Sequence, residues 1–425
     1  MSHGRDSSTI SQILESGVIT NSRIDIEHLL FDVHQARLAQ SCGRYFESIE
    51  RLEQIYESVY RTYCPEKGFG LPRIFSSEWS AAFGHIGNLG IALRILESEK
   101  KFDRFTILAE ERQTDYLLLR LFSTSHDLMV QSNVDEKWST LPNFWPIIQQ
   151  QDLLRLNNDD WIRPEVLFDD FFGRREPLGH SPLWKLFDRN LDEITWTKFK
   201  NLTTNLEWYA VIHVRESGDD SIRNQNFESY IPAINHIIDS GGTVFRIGNT
   251  QRRSHFVRQG YLDLTNRSPN DRELDSLLIE NARFFVGTAS GPISIARMFN
   301  TPSLITNMTN IAPYCCRGYK TYYMPKIFYR GNHPLSLSET LNSPVAWGDV
   351  REKFLLDSGI SYSDNSVEEL VDGCQFMIED TESFSDSVWE AEFSNLIEQI
   401  RFSYPWTSKG EFAPSFLKNN DWFMR

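Results

Sequence analysis

The stretch Arg283-Phe284-Phe285-Val286-Gly287-Thr288-Ala289-Ser290-Gly291-Pro292 decides how the rest of the chain is read. Its apolar run has the length and composition of a buried strand, and Pro292–Phe299 then has the apolar spacing of a helix. Between them lies a turn of small residues, Gly287 to Gly291. Small side chains let a backbone approach a ligand closely, and two hydroxyls beside the N–H groups of a helix start suit a phosphate or diphosphate. Pro292 fits the first helical turn, where its missing N–H has no partner to lose. The same turn would serve a strand-to-helix connection that binds nothing, and it is neither a G-x-x-x-x-G-K-[ST] loop nor a full G-x-G-x-x-G.

Outward from this turn, the alternation of strand and helix continues on both sides. Upstream come strand Trp208–Val214, helix Tyr230–Ser240, strand Thr243–Ile247, a short strand Tyr261–Leu264 and helix Glu273–Asn281; downstream comes strand Ser303–Ile305. This βαβ succession predicts a parallel, Rossmann-like α/β unit. In Val211-Ile212-His213-Val214-Arg215-Glu216, period-two alternation puts His213 and Arg215 on one side of a strand near its carboxyl end. In open α/β sheets, ligands bind at that edge. An arginine there can take a phosphate in a bidentate pair, a histidine can add a hydrogen bond, and Glu216 can orient Arg215 or a sugar hydroxyl. Arg223 and Asn224 follow in the next loop, and Arg246 ends the next strand ahead of Gly248.

Further out, Arg73–Ser77, Phe105–Ala109 and Asp127–Gln131 read as strands, with helices at Leu89–Glu99 and Asp115–Phe122. The loop Gly84-His85-Ile86-Gly87-Asn88 holds a histidine whose ordinary pKa suits a general base. Residues 10–63 carry apolar groups at helical spacing up to a break at Cys64-Pro65. Residues 135–200 show no clean period and predict irregular structure with short helices. The tail shows helical patterns at Val367–Ile378 and Val388–Arg401.

A chain of 425 residues exceeds the roughly 100–200 of one domain, so more than one is expected. The predicted divisions are a helical extension over 1–65, an amino-terminal Rossmann-like lobe over 66–200, a carboxy-terminal one over 201–345, and helices over 346–425 that pack back on the lobes. With 43 basic against 58 acidic residues the net charge is −15, which argues against a nucleic-acid partner and makes any local basic cleft stand out. The five cysteines lack zinc spacing, and the acidic pairs lack the convergent oxygens of a hard-cation site, so no metal is expected. Neither a leader-like start nor a long uncharged apolar run is evident, which leads to an expectation of a soluble, cytoplasmic protein. Peripheral membrane contact at the inner face is compatible with that.

Taken together, these segments resemble a family of bacterial glycosyltransferases of the GT-B type, similar in layout to fucosyltransferase-like enzymes with an H-x-R motif. The resemblance runs from about Trp208 to Glu339. Its carriers are Ile212-His213-Val214-Arg215-Glu216, Arg223-Asn224, Tyr230, Gly242–Gly248, Tyr261–Leu264, Asp275, Arg283–Gly291, Asn307 and Pro325-Lys326. It implies an α/β fold of two Rossmann-like lobes facing across a cleft, with a nucleotide-sugar donor held mainly by the carboxy-terminal lobe and no bound metal or other cofactor. It also implies that Arg215 and Arg246 bind the diphosphate, that Gly287, Thr288, Ser290 and Gly291 cradle it, and that His213 and Glu216 line the site. Arg223, Asn224, Gly248 and Lys326 join this donor set, and the catalytic candidates are His85, as base, with Arg215 and Glu216. Asn249 departs from the family, which often has an acidic residue after the glycine; Leu264-Thr265 replaces a more usual aromatic-small pair. The implied activity is sugar transfer to a glycan or lipid-linked acceptor, in the setting of surface-polysaccharide or glycoconjugate synthesis. A nucleotide-sugar epimerase or hydrolase on the same fold, and a non-catalytic nucleotide- or glycan-binding protein, are the alternatives.

Overall fold

The computed structural model describes residues 193–217, 221–250, 254–265, 272–309, 311, 320–343, 345, 352–379 and 411–424. Within the first 192 residues it describes six short strands and helical positions between 31 and 54 and between 84 and 90. The expected helices at Asp115–Phe122 and Val388–Arg401 lie outside these residues. The chain divides into two units, one formed by Met1–Ala81 with Leu96–Ile162 and the other by Ala82–Ile95 with Arg163–Arg425.

In the first unit, β1 (Arg73–Phe75), β2 (Phe105–Glu110), β3 (Asp127–Gln131) and β4 (Ile147–Ile148) form a parallel sheet in the order β3-β2-β1-β4. The strand positions read from Arg73, Phe105 and Asp127 agree with it. Β4 falls inside the stretch expected to be irregular, as do β5 (Leu154–Arg155) and β6 (Trp161–Ile162), which pair antiparallel. Strands of two residues are too short for a period to show in the sequence.

The second unit begins its regular structure with α1 (Glu193–Thr203). It continues through β7 (Tyr209–His213), α2 (Ile231–Asp239), β8 (Thr243–Arg246), β9 (Tyr261–Asp263), α3 (Arg272–Glu280), β10 (Phe284–Thr288), α4 (Pro292–Met298), β11 (Ser303–Met308) and β12 (Thr321–Pro325). Every residue of β7, β10 and β11 is buried, as expected of parallel strands covered on both faces. The aromatic members pack by geometry as well as area; Tyr209 meets Phe245 edge-on with ring centroids 5.1 Å apart.

From residue 327 the chain does more than supply helices. Β13 (Ile327–Arg330), β14 (His333–Pro334) and β15 (Ile360–Ser363) make a small antiparallel sheet, with α5 (Leu337–Leu341) and α6 (Glu352–Asp357) between β14 and β15. Its core of Phe328, Leu335, Val345, Leu355 and Ile360 also takes in Ile222, from the loop after β7. Α7 (Val367–Glu379) packs on α2 and β11. Then β16 (Glu411–Phe412), in the stretch after the expected helices, pairs in parallel with β12 and completes the sheet edge before α8 (Pro414–Asn419). The large sheet has seven strands, all parallel, in the order β16-β12-β11-β10-β7-β8-β9.

Residues 82–95 and 163–200, grouped by sequence with the amino-terminal lobe, fall in the second unit by contact. The sequence shows the βαβ rhythm but not the surface against which each helix packs.

Phe412, Phe416 and Phe423 form an edge-to-face cluster, with Phe416 and Phe423 at 5.3 Å, and Phe416 is fully buried. Phe416→Ala is expected to lower unfolding free energy by about 3–5 kcal/mol through loss of burial and an unfilled cavity, as read by urea unfolding followed by tryptophan fluorescence.

Candidate functional site

Strand order locates the site. From β7 the chain steps outward to β8 and β9, then returns to the other side of β7 to lay down β10, and continues outward through β11 and β12. The order therefore reverses between β7 and β10, and the crevice outside the carboxyl ends at such a reversal is where open α/β sheets receive ligands. The two motifs singled out in the sequence end these two strands. Register pairs Gly287 with His213, and Arg215 N–H donates to Thr288 Oγ1 at 3.0 Å, joining the loops that leave β7 and β10. Thr288 is wholly buried in this role, whereas Ser290 and Gly291 are half-buried at the start of α4.

His213 is 8% exposed. Its Nδ1 lies 2.9 Å from Ser290 Oγ, which is also 3.0 Å from the Thr288 carbonyl oxygen. A hydroxyl has one proton; when Ser290 donates it to the carbonyl, Nδ1–H of His213 donates to Ser290 and Nε2 becomes an acceptor. Burial lowers the His213 pKa to about 4, with Arg215 and Arg246 pushing the same way. The imidazole is therefore neutral at pH 7. Gly248, at φ +106°, backs onto it: a Cβ there would sit 2.6 Å from His213 Cδ2 and 2.8 Å from Nε2. Gly248 thus serves the site by having no side chain.

Arg246, expected on the diphosphate, is 1% exposed and committed elsewhere. Its Nη2 reaches Glu216 Oε2 at 2.5 Å, its Nη1 reaches Asp263 Oδ2 at 3.2 Å, and its guanidinium lies 3.6 Å from the centre of the Phe227 ring. Glu216 also accepts from Thr250 Oγ1 at 2.7 Å. These pairs fasten the ends of β7, β8 and β9 together. Asn224 is occupied as well: its Oδ1 accepts from Ser217 N–H and Oγ, and its Nδ2 donates to Ser217 O, closing the loop onto itself. Arg223 is half-buried, with Nε on Ser221 Oγ at 3.3 Å.

Lys326, the other expected diphosphate contact, has no exposed side-chain surface. Its Nζ pairs with Asp364 over the face of Tyr362, and burial lowers its pKa against the opposing pull of Asp364. The neighbouring Asn365 and Asn307 exchange backbone N–H to side-chain Oδ1 bonds of 2.6 Å each way. Asn307, at φ +51°, also donates to Tyr230 OH, which meets Thr306 Oγ1 at 2.7 Å. Gln225, Thr250, Asp364 and Asn365 were not singled out in the sequence, and Asp263 entered only as part of the Tyr261–Leu264 segment. One readable signal was the S-x-x-E box Ser366–Glu369, which caps α7 with both reciprocal bonds and fixes where the chain turns after Asp364.

Gly84 to Gly87 is helical rather than a loop. It packs within the second unit, backbone against backbone, on the start of α4. A Cβ on Gly84 would lie 2.5 Å from Gly291 Cα, and one on Gly87 2.5 Å from Ser294 C. Half-buried His85 is thereby carried beside the Ser290-Gly291 turn. Its neighbours Gly84 and Gly291, far apart in sequence, are brought into direct contact.

No family model and no curated protein matches the chain. Among solved structures it is similar to a family 9 glycosyl transferase from Veillonella parvula, at 10% identity and TM-score 0.43 over 74% of this chain and 100% of that one. It is also similar to the E. coli ADP-heptose lipopolysaccharide heptosyltransferase II, at 11% identity and TM-score 0.40 over 60% and 90%. A third, an E. coli heptosyltransferase with ADP-2-deoxy-2-fluoro heptose, shows 13% identity and TM-score 0.33 over 60% and 92%. Likeness of that degree assigns no residue and no activity.

Two outcomes follow from the geometry. Because folding lowers the His213 pKa from its ordinary 6.5 to about 4, the unfolded chain binds the extra proton between those values. Stability then falls as pH drops from about 6.5 to 4, by up to about 3 kcal/mol from this group. In His213→Gln, unfolding measured across that window should show a correspondingly shallower pH slope. Gly84→Ala forces a methyl into the Gly291 backbone, and a lower melting temperature than wild type is expected by calorimetry.

Proposed function

We propose that the chain is a glycosyltransferase that takes a nucleotide-sugar donor at the carboxyl edge of the seven-stranded sheet. The observation that carries this reading is the meeting of Arg215 and the Thr288–Gly291 turn at the strand-order reversal, joined by the bond from Arg215 N–H to Thr288 Oγ1. Sugar transfer releases a nucleoside diphosphate, so charge builds on the leaving phosphate in the transition state. A preorganised guanidinium and backbone donors aimed at that charge lower the barrier.

The roles within the proposed site differ by residue. Arg215 is the cation for the diphosphate, with Arg223 following in the same loop, and the half-buried Ser290-Gly291 backbone lies against the phosphates. Neutral His213 holds Ser290 in place and contributes no second positive charge. Glu216 and Arg246 position the loop ends without meeting the donor. His85, packed in beside Gly291, is the proposed base that takes the acceptor hydroxyl's proton. The acceptor is proposed to be a glycan or a lipid-linked glycan of surface-polysaccharide assembly, reached from the cytoplasm. Among the described residues no helix is long and apolar enough to cross a membrane. The chemistry proposed here needs no resident metal.

Thermal shift with ADP, GDP, UDP, dTDP and CMP and their sugar conjugates tests the reading. One nucleotide class is expected to stabilise the wild type, by about 2.7 kcal/mol at a hundredfold excess over Kd, and Arg215→Ala should abolish that shift while keeping the unliganded melting temperature. No shift with any nucleotide at millimolar concentration would refute it. Turnover of donor without an acceptor would favour an epimerase or hydrolase.

A further inference from the structure

Asp364 stands at the end of a polar chain that begins at Arg215. The Arg215 carbonyl accepts from Gln225 N–H at 2.8 Å, and the buried Gln225 side chain extends its Nε2 to Asp364 Oδ1 at 3.5 Å. The same Oδ1 takes the Lys326 ammonium. Both donors thus converge on one oxygen, and Oδ2 accepts from no described residue. The Asp364 side chain is 47% exposed, although its partner Lys326 has no exposed side-chain surface.

The backbone at this point is fixed. Asn365 is held by the reciprocal bonds to Asn307 at the end of β11, and its Nδ2 donates to Pro325 O at the end of β12 at 2.9 Å. Asp364 is therefore mounted over the carboxyl edge of the sheet, on the same edge as the Arg215 loop and tied to it through one residue. A counterion for Lys326 would suffice with the ion pair alone; the Gln225 link and the outward oxygen are additional.

We propose that Asp364 is a ligand-contacting, specificity-determining residue of this site, whose Oδ2 accepts a hydrogen bond from a sugar hydroxyl of the bound nucleotide. The inference rests on the nucleotide-sugar reading and names what that site recognises besides phosphate. A carboxylate repels a phosphate and accepts from a hydroxyl, so Arg215 and Asp364 divide the ligand between them by charge. Hydroxyls lie on both sides of a diphosphate, on the ribose and on the transferred sugar. Lys326 is the positioning residue, because its ammonium pins Oδ1 and leaves Oδ2 outward.

Titration calorimetry of the full chain tests this, using the nucleoside diphosphate that stabilises the wild type, its 2′-deoxy analogue and its hexose conjugate. If the hydroxyl is on the ribose, wild type prefers the ribonucleotide to the 2′-deoxy form by about tenfold or more, and Asp364→Asn removes that preference. If it is on the hexose, Asp364→Asn binds the diphosphate normally but loses about tenfold on the conjugate. Equal affinity of wild type and Asp364→Asn for all three probes would overturn the role of Asp364 while leaving the donor site standing. Absence of binding by the wild type overturns the nucleotide reading, and Asp364's contact with it. Asp364→Asn leaves a buried ammonium without its carboxylate; should it melt early, the double variant Asp364→Ala with Lys326→Met removes both charges and is read against the same outcomes. Lys326→Met alone should weaken the hydroxyl-dependent preference without removing diphosphate binding.

Discussion

A guanidinium with almost no exposed surface organises the carboxyl edge of this protein. Arg246 projects from the end of β8, and its charge in the interior requires compensation close at hand. Glu216, beyond β7, and Asp263, at the end of β9, supply it, and Phe227 covers the group with its ring. Removing either carboxylate leaves charge in a place that water cannot reach, so the three strand ends are fixed relative to one another. The loop bearing Arg215 leaves from that fixed base. Its far end is fixed as well, by Ile222 in the core of the small antiparallel sheet and by Gln225 on the Arg215 carbonyl.

With these ends held, the edge sorts charge by depth. The deep cations, Arg246 and Lys326, are each paired with a carboxylate. Arg215 is only half-buried, and the histidine beside it is held neutral by burial and by the two arginines near it. Arg215 and Asp364 are remote in sequence, and Gln225, which bonds to both, links them.

Much of the second unit was legible because parallel strands covered on both faces have a plain signature. The apolar runs at Tyr209, Thr243, Phe284 and Ser303, separated by helices of apolar spacing, give β7, β8, β10 and β11 within a residue or two at most ends, although β10 and β11 run on into polar residues at their carboxyl ends. The Gly287–Gly291 turn and the His213-Val214-Arg215 motif were both visible, and both lie at the strand-order reversal. The edge strand β16 was not legible: two residues, Glu411 and Phe412, carry no period, and only pairing with β12 makes them a strand. The helical state of Gly84–Gly87 was obscured in the same way, because two glycines read locally as a loop; their purpose is contact with a helix some two hundred positions away.

Local order in the chain determined which residue types gather at the strand ends, because alternation and turn composition are properties of adjacent residues. Burial decided what each then does. Arg215, Arg246 and Lys326 are equivalent as letters, yet one is half-buried at the crevice and two are sealed in ion pairs. The partners Asp263 and Asp364 lie 17 and 38 positions away from the cations they meet. Whether a cation is sealed against a carboxylate or stays nearer the surface depends on the desolvation and distance of groups remote in sequence, and those quantities exist only once the sheet has formed.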